Sequence, residues 1–234
     1  MKLTNRLKKI SEIVTPGSKI ADIGTDHGYI PVQLLMAGVV PYAVLGDVNK
    51  GPLDNARGLV VKNKLASKVD FRLGSGIEVL EVGEVDEIII AGMGGILISD
   101  ILGANEEVAH NTSRLILQPM QAQDILREYL YGNGYEITEE FLVNEDFRMY
   151  EIIVAKYTGK VSKDIDEIYF EVGKKLIENK DPLLKDFVNK KIHTHSEILK
   201  NTEGVEGESV EKRRWESNEK ISKLQEILDV YIEK

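Results

Sequence analysis

Lys19-Ile20-Ala21-Asp22-Ile23-Gly24-Thr25-Asp26-His27-Gly28-Tyr29-Ile30-Pro31 is the segment that decides the fold. It begins as a short apolar run typical of a buried strand, passes through a glycine-containing turn and continues into an apolar stretch that we expect to be helical. In open α/β sheets a ligand lies across the carboxyl ends of the strands, and a glycine at position 24 permits close approach of the backbone. The segment therefore predicts a binding crevice after the first strand.

The charge of this turn discriminates between cofactors. Its spacing, Asp-x-Gly-x-Asp-x-Gly, places carboxylates at Asp22 and Asp26, where a dinucleotide pyrophosphate would need bare backbone donors. S-adenosylmethionine carries a sulfonium and an ammonium group and no phosphate, so a carboxylate near its cationic end is favourable. The pattern therefore favours S-adenosylmethionine and disfavours an anionic dinucleotide.

Further apolar runs alternate with amphipathic stretches, which is typical of a mostly parallel sheet with crossover helices. Residues 144–148, between the last two runs, are too few for a helical crossover, so we expect the last two strands to be antiparallel neighbours. The expected fold class is α/β, with a Rossmann-like seven-stranded sheet. Its predicted strands cover residues 19–23, 42–47, 69–73, 87–91, 114–118, 135–143 and 149–156.

The sequence changes character near Gly159, and we divide the chain into domains over residues 1–159 and 160–234. From Val161 onward apolar residues fall at helical spacing, which predicts one long helix kinked at Asp181-Pro182. A polar turn at 201–207 precedes a second helix from Ser209. These features predict an antiparallel helical hairpin, packed as a coiled coil. The alternative is that the hairpin serves only packing or dimerisation.

Residues that follow the second and third strands complete the predicted cofactor site. Asp47 ends the second strand at the spacing from which a carboxylate accepts the ribose hydroxyls of an adenosine cofactor, although an aspartate there can also cap a helix. Gly74-Ser75-Gly76 is placed to line the adenine edge, and a tight turn is the alternative. The predicted cofactor-binding residues are Asp22, Gly24, Asp26, His27, Gly28, Tyr29, Asp47, Val48, Gly74, Ser75, Gly76, Gly92 and Met93.

Glycines follow the fourth strand in Gly92-Met93-Gly94-Gly95. They predict an open floor where a methyl donor and a flat base approach each other, with a helix cap or flexible loop as the alternative. Gln118-Pro119 ends the fifth strand on the same rim, and Gln118 either contacts a substrate base or is a polar strand end without a function. For His27 we favour a cofactor or substrate contact over proton transfer.

Composition excludes several classes of protein. The chain has no cysteine, which excludes disulfides, thiolate zinc sites and cysteine nucleophiles. No apolar window approaches the ~20 residues of a membrane span, so we expect a cytoplasmic protein. The histidines lack a metal-ligand pattern, and we expect no metal. A net charge of −9 argues against a protein that coats nucleic acid but permits a local basic patch.

Taken together, the segments 22–31, 91–95 and 118–119 and the helical C-terminal part resemble the bacterial tRNA (adenine-N1)-methyltransferase family called TrmK. Asn5-Arg6-Leu7 and the segment from Glu145-Asp146 to Tyr150-Glu151 extend the resemblance over nearly the whole chain. It implies a class I methyltransferase fold with a C-terminal coiled-coil domain, and methylation of N1 of adenine 22 in tRNA. Met120 and Ser75 depart from the family pattern, where asparagine and aspartate are expected.

The expected reaction suggests roles for particular residues. Asp26 is the first candidate to accept the N6 proton of the adenine, and Gln118 is a second catalytic contact. The expected substrate-binding residues are Arg6, Gly94, Gly95, Gln118, Pro119, Lys190 and Lys191, and Lys8, Lys9, Lys185 and Lys200 are further candidates to contact tRNA phosphates.

The protein is expected to be a monomer or weak dimer. The rival hypotheses are a methyltransferase of similar fold acting on a small molecule or protein, and a non-catalytic tRNA-binding scaffold.

Overall fold

The computed structural model describes residues 3–25, 27–162 and 164–232. The chain folds into two compact units, Met1–Ile165 and Asp166–Lys234. The division at residue 159 into a catalytic domain and a tRNA-contacting domain stays a prediction.

The described residues of the first unit form a seven-stranded sheet. Its strands are β1 (Ile20–Ile23), β2 (Ala43–Asp47), β3 (Val69–Leu73), β4 (Glu87–Met93), β5 (Arg114–Pro119), β6 (Tyr135–Glu145) and β7 (Arg148–Tyr157). Their order is β3-β2-β1-β4-β5-β7-β6. Neighbours among β1 to β5 pair in parallel, whereas β7 runs antiparallel to both β5 and β6. The predicted strands and the antiparallel final pair are confirmed.

Helices connect these strands and cover the sheet. They are α1 (Asn5–Ile13), α2 (Tyr29–Met36), α3 (Lys50–Lys62), α4 (Gly95–Ala104), α5 (Glu106–Asn111) and α6 (Gln123–Gly132), with 3₁₀ turns at Ala66–Lys68 and Gly76–Val79. Gly28, with φ +65°, directly precedes α2. The side chain of Asn105 accepts a hydrogen bond from the Val108 amide at 3.3 Å, which caps α5.

The central strands are buried on both faces. Ile88, Ile89 and Ile90 of β4 are fully buried, as are the three residues 115–117 of β5. Strands covered on both sides carry continuous aliphatic runs, because neither face meets water. This core holds the carboxyl ends of the strands at fixed positions.

The second unit contains α7 (Ile168–Glu171), α8 (Lys174–Glu178), α9 (Leu184–Asn201) and α10 (Glu208–Ile227), followed by a π-helical turn at Leu228–Ile232. The prediction of one long kinked helix from Val161 is wrong. Gly173 separates α7 from α8, and α9 begins only after Pro182, whose ring and missing N–H cannot continue the preceding helix. The apolar residues of several short helices recur at the same spacing as those of one long helix. The spacing alone therefore did not reveal these breaks.

Helices α9 and α10 pack against each other across the connection at 202–207. Glu171 of α7 forms ion pairs with Lys191 of α9 at 3.4 Å and with Lys220 of α10. The C-terminal helical pair is therefore confirmed, and coiled-coil geometry within it stays a prediction.

Candidate active site

The carboxyl ends of β1, β2, β4 and β5 lie at one edge of the sheet because these strands are parallel. The chain passes from β1 outward to β2 and β3 and then returns to β4 on the other side of β1, which makes this edge a topological switch point. A cavity of about 360 Å³ opens there. The predicted site residues that line it are Arg6, Asp22, Gly24, His27, Gly28, Tyr29 and Gly92.

Asp22 lies at the end of β1 with only 8% of its surface exposed. The Thr25 hydroxyl donates a hydrogen bond to its Oδ2 atom at 2.7 Å and accepts one from the Gly28 amide at 3.1 Å. Burial raises the pKa of Asp22 from 3.8 to about 6; the Thr25 bond opposes this shift, and the nearby Asp47 carboxylate adds to it. The site therefore holds a carboxylate that a cationic ligand would stabilise in its charged form.

The two glycines of the turn are required by its backbone conformation. Gly24 has φ +75° and Gly28 has φ +65°, a region that favours glycine. A Cβ atom at Gly24 would lie 1.9 Å from Cε of Met93, and one at Gly28 would lie 2.9 Å from the Leu45 side chain. Close packing between the ends of β1, β2 and β4 thus explains the glycine spacing in the sequence.

An aromatic pair forms one wall of the larger cavity. The rings of His27 and Tyr29 are stacked, with centroids 5.0 Å apart and planes at 28°. Tyr29 is 39% exposed, so the pair borders both the cavity and solvent. Asp26, the first candidate proton acceptor, lies outside the described residues.

A second cavity of about 140 Å³ adjoins the first, because Gly24 lines both. It brings together the predicted residues Asp47, Val48, Ser75, Gly76 and Met93. Oδ1 of Asp47 accepts a hydrogen bond from the Asn49 amide at 2.7 Å, which orients the carboxylate.

Gly74, a predicted cofactor-binding residue, lies close to this cavity at a position with no room for a side chain. A Cβ atom at Gly74 would lie 2.5 Å from Val79, and the Gly74 amide donates to the Asp47 carbonyl at 3.0 Å. Gly74 therefore permits close packing of the loop that carries Ser75 and Gly76.

Gln118 is fully buried and binds two residues that line the larger cavity. Its Oε1 atom accepts hydrogen bonds from the Arg6 guanidinium and from the Gly92 amide, and its Nε2 atom donates to the Pro119 carbonyl at 2.9 Å. All of these contacts are made within the protein, whereas the contact predicted for Gln118 was with a substrate base. A base contact by Gln118 stays a prediction, and the structure assigns the side chain a positioning role.

Arg6 faces the larger cavity, and its role was expected to be a tRNA phosphate contact. Nη1 binds Gln118, and the guanidinium lies 5.3 Å from the centroid of the Tyr150 ring. Among the described residues, no hydrogen-bond acceptor reaches the buried Nε atom of Arg6. Part of this guanidinium is thus unsatisfied beside the cavity that it lines.

Gly94 and Gly95 pack against the loop that follows β5. A Cβ atom at Gly95 would lie 2.0 Å from the Ala122 carbonyl oxygen, and one at Gly94 would lie 3.4 Å from the Gln121 side chain. Pro119 is buried at the end of β5. Gly92 lines the larger cavity. The open floor expected from the glycines stays a prediction, as do substrate contacts by Gly94, Gly95 and Pro119.

The predicted hairpin contacts Lys190 and Lys191 belong to the second unit. Lys190 is exposed, whereas Lys191 is partly buried, paired with Glu171 and placed 5.3 Å from the Phe187 ring. Lys191 therefore has a structural role within its own unit. Its contact with tRNA, like that of Lys190, stays a prediction.

Sequence reasoning missed several residues of the site. Thr25 was part of the quoted motif but received no role, although its position three residues after Asp22 suits a hydrogen bond across the turn. Leu97, half-exposed at the start of α4, lines the smaller cavity. Tyr150 lies beneath Arg6, a contact that no local signal indicates because 144 positions separate the two residues.

Within residues 3–25, 27–162 and 164–232, no group of three or more histidine or carboxylate side chains is arranged to hold a metal ion. In the same part of the chain, no helix is both long enough and apolar enough to cross a membrane.

Comparison with known proteins places this architecture. Residues 3–153 match the family described as "Methyltransferase domain". The tRNA (adenine(22)-N(1))-methyltransferase of Bacillus subtilis is 33% identical over 234 residues, covering 98% of each chain. The crystal structure of the B. subtilis m1A22 tRNA methyltransferase TrmK superposes with a TM-score of 0.86 at 32% identity, covering 97% of this chain and 99% of that one.

This chain belongs to the TrmK family of methyltransferases. Mycoplasma capricolum TrmK, solved with the cofactor product S-adenosyl-homocysteine, gives a TM-score of 0.83 at 26% identity over 99% of this chain and 100% of that one. A Streptococcus pneumoniae protein crystallised with S-adenosyl-L-methionine gives 0.84 at 30% identity over 97% and 100%. The predicted family and fold class are confirmed, and the site residues within the TrmK fold stay predictions.

Proposed function

We propose that this protein is an S-adenosylmethionine-dependent methyltransferase that methylates N1 of adenine 22 in tRNA. The observation that carries the proposal is the full-length match to an enzyme of that activity, together with a carboxylate-containing cavity at the switch point of the sheet. A methyltransferase acting on a small molecule or protein would not explain the match to a tRNA enzyme, and a non-catalytic scaffold would not explain the cavity.

The cavity residues fit the zwitterionic end of S-adenosylmethionine. Asp22 supplies a buried carboxylate for its ammonium group. The Arg6 guanidinium, whose Nη1 atom binds Gln118 and whose Nε atom has no acceptor among the described residues, supplies a donor for its carboxylate. We therefore assign Arg6 to the cofactor in place of the tRNA phosphate contact expected from the sequence. A pyrophosphate beside Asp22 would instead face a negative charge.

The smaller cavity fits the adenosine end. Asp47 presents a carboxylate to the ribose hydroxyls, and Val48, Met93 and Leu97 supply apolar surface for the flat base. Gly24 lies between the two cavities and leaves room for the backbone to approach the centre of the ligand.

The bound cofactor supplies an electrophilic methyl group, and N1 of adenine has an available lone pair. The task of the chain is alignment and exclusion of water. Gly92, held by Gln118, and the stacked rings of His27 and Tyr29 all line the larger cavity. N1 lies on the pairing edge of the base, so the adenine must leave its stack to enter the cavity.

Methylation of N1 places a positive charge on the adenine and makes its N6 protons more acidic, so a nearby acceptor would ease the loss of one of them. Asp26 remains our proposed acceptor of this proton on sequence grounds. Asp22 is a poor candidate because its Oδ2 atom is engaged by Thr25 and its carboxylate is assigned to the cofactor ammonium.

The remaining expected partners belong to this proposal as well. Exposed lysines on α1 and α9, including Lys8, Lys185, Lys190 and Lys200, are candidates for tRNA phosphate contacts. A cytoplasmic location and a monomeric or weakly dimeric state stay predictions.

The test combines the purified full chain with labelled S-adenosylmethionine and unmodified tRNA, followed by nuclease digestion. We expect labelled 1-methyladenosine. Asp22→Asn should weaken cofactor binding in calorimetry while the protein remains folded. Cofactor binding without methylation of any tRNA would support the small-molecule or protein methyltransferase, and absence of cofactor binding would support the scaffold.

A further inference from the structure

The turn between β6 and β7 presents an aromatic ring to solvent. Asp146 and Phe147 connect the strands, because Glu145 and Arg148 form the final pair of the ladder. Phe147 is 85% exposed, a larger fraction than for any other large hydrophobic residue in the described part of the chain. Full exposure of a phenylalanine is unfavourable in water, so this position suits a surface that a partner covers.

The base of this turn is tied to the first turn of α1. The backbone amide of Arg6 donates a hydrogen bond to Oε2 of Glu145 at 2.8 Å. The side-chain amide of Asn5 donates to the Asn144 carbonyl at 3.0 Å. The Glu145 carboxylate thus satisfies one of the free N–H groups at the start of the helix and complements its dipole.

The same contacts place the turn beside the larger cavity. Arg6 lines that cavity, and its guanidinium also lies over the ring of Tyr150 on β7. Two residues of extended chain span at most about 7 Å, so Phe147 lies within about that distance of the backbone of Glu145, whose side chain binds the amide of the cavity-lining Arg6.

A buried ion-pair cluster holds the hairpin from behind. Arg127 of α6 contacts Glu140 of β6 at 2.7 Å and Glu151 of β7 at 2.6 Å, and all three residues are almost fully buried. The strands that carry the turn are therefore fixed on both sides. A ring on such a support loses little conformational freedom when a ligand covers it.

The chemistry at the tip matches RNA. The Arg148 guanidinium lies 5.5 Å from the centroid of the Phe147 ring, which places a cation beside an exposed aromatic face. Single-stranded nucleic acid is bound by this combination, with the base stacked on the ring and the phosphate near the cation. Extrusion of the target adenine also leaves neighbouring bases without their stacking partner.

We propose that Phe147 is a stacking platform for an unpaired nucleobase next to the target adenine, and that Arg148 contacts the adjoining phosphate. This inference rests on the proposed tRNA substrate and adds a binding site at the β6–β7 turn. Phe147 touches the RNA and no reacting atom, so it acts on substrate affinity.

The test compares Phe147→Ala, Phe147→Leu and Phe147→Tyr, with Val61→Ala, an exposed residue on α3, as the control. Initial rates of 1-methyladenosine formation are measured over a range of tRNA concentrations at saturating cofactor. Fluorescence anisotropy measures the affinity for labelled tRNA without turnover. Calorimetry measures the affinity for the cofactor.

We expect Phe147→Ala and Phe147→Leu to raise KM and Kd for tRNA by about 5- to 100-fold, the range for loss of one stacked base. Phe147→Tyr and Val61→Ala should stay near wild type, and kcat and cofactor affinity should not change. Leucine keeps apolar surface but has no π face, so this variant separates stacking from simple hydrophobic contact.

Wild-type tRNA affinity in Phe147→Ala, or full function in Phe147→Leu, would overturn the inference. A changed cofactor affinity in Phe147→Ala would also overturn it, because the turn would then act through the structure of the site. If the wild type binds tRNA without methylating it while Phe147→Ala binds more weakly, the inference stands and the proposed function fails.

Discussion

The backbone amide of Gly92 donates a hydrogen bond to Oε1 of Gln118 at 3.1 Å, at a bulge in β4 between Ala91 and Met93. Gly92 has φ +82°, and the bulge removes its amide from the regular ladder. The buried Gln118 side chain replaces the missing acceptor and also binds Arg6, which enters from α1. The side-chain amide of Gln118 thus holds both the Gly92 backbone, which lines the larger cavity, and the Arg6 guanidinium beside it.

Replacement of Gln118 by leucine should therefore destabilise the protein and loosen the site. Arg6 and Gly92 would lose a shared acceptor, at a cost of about 1–3 kcal/mol in the free energy of unfolding. Urea unfolding measures this loss, and calorimetry should show weaker cofactor binding. Gln118→Glu, which keeps an acceptor for both donors, is the control and should lie closer to wild type. Equal stability of Gln118→Leu and wild type would contradict the network.

Gly95→Ala should destabilise the protein because the new Cβ would lie 2.0 Å from a backbone oxygen of Ala122. Neither backbone segment can move freely, so we expect a loss of about 1–3 kcal/mol or more. Gly58→Ala is the matched control, since Gly58 lies within α3 and its Cβ would meet nothing within 4 Å. That variant should gain about 0.5–1 kcal/mol from helix propensity. Thermal unfolding of both proteins checks the opposite signs.

Asp22→Asn should stabilise the folded protein at neutral pH while it weakens cofactor binding. The pKa of Asp22 is raised by burial to about 6, so the folded state binds its proton more tightly than the unfolded chain. The resulting stability is fully present below about pH 3.8 and is lost as pH rises through about 6. Above that pH the asparagine variant should be more stable by about 1–3 kcal/mol.

Urea unfolding of wild type and Asp22→Asn between pH 4 and 8 isolates this effect. The stability difference between the two proteins should grow as pH rises through about 6 and then level off. A difference that does not depend on pH would show that Asp22 is not buried as a shifted carboxyl group.

Arg127→Met should be strongly destabilising at neutral pH, because the buried Glu140 and Glu151 carboxylates would lose the guanidinium that pairs with both of them. We expect a loss of about 3–5 kcal/mol. The triple variant Arg127→Met, Glu140→Gln, Glu151→Gln should recover much of the stability; failure to recover it would mean that packing, and not charge, dominates at Arg127.

The strands and the cofactor edge were predictable because their signals are local. Continuous aliphatic runs such as residues 88–90 indicate strands that are buried on both faces. Asp22 and Gly24 lie in one short segment, which supplies both the negative charge and the glycine conformation of the turn. The carboxyl ends of parallel strands meet at one edge, so predicting the strands also predicted which residues come together.

Contacts between distant segments were not predictable. Arg6 and Gln118 are 112 positions apart, and nothing near either residue indicates their hydrogen bond. The breaks between α7, α8 and α9 were missed because apolar spacing persists across Gly173 and Pro182. The solvent exposure of Phe147 was not predictable either, because a phenylalanine in a sequence is first expected in the core.

The most direct test of the whole account maps the position of methylation. Unmodified tRNA is incubated with the full chain and S-adenosylmethionine, and reverse transcription then locates the modified base, because a methyl group on N1 blocks pairing. The account predicts a stop at adenine 22 in wild-type tRNA and no such stop in tRNA carrying guanine at that position. A stop at another adenine, or none at any cofactor concentration that saturates the protein, would contradict it.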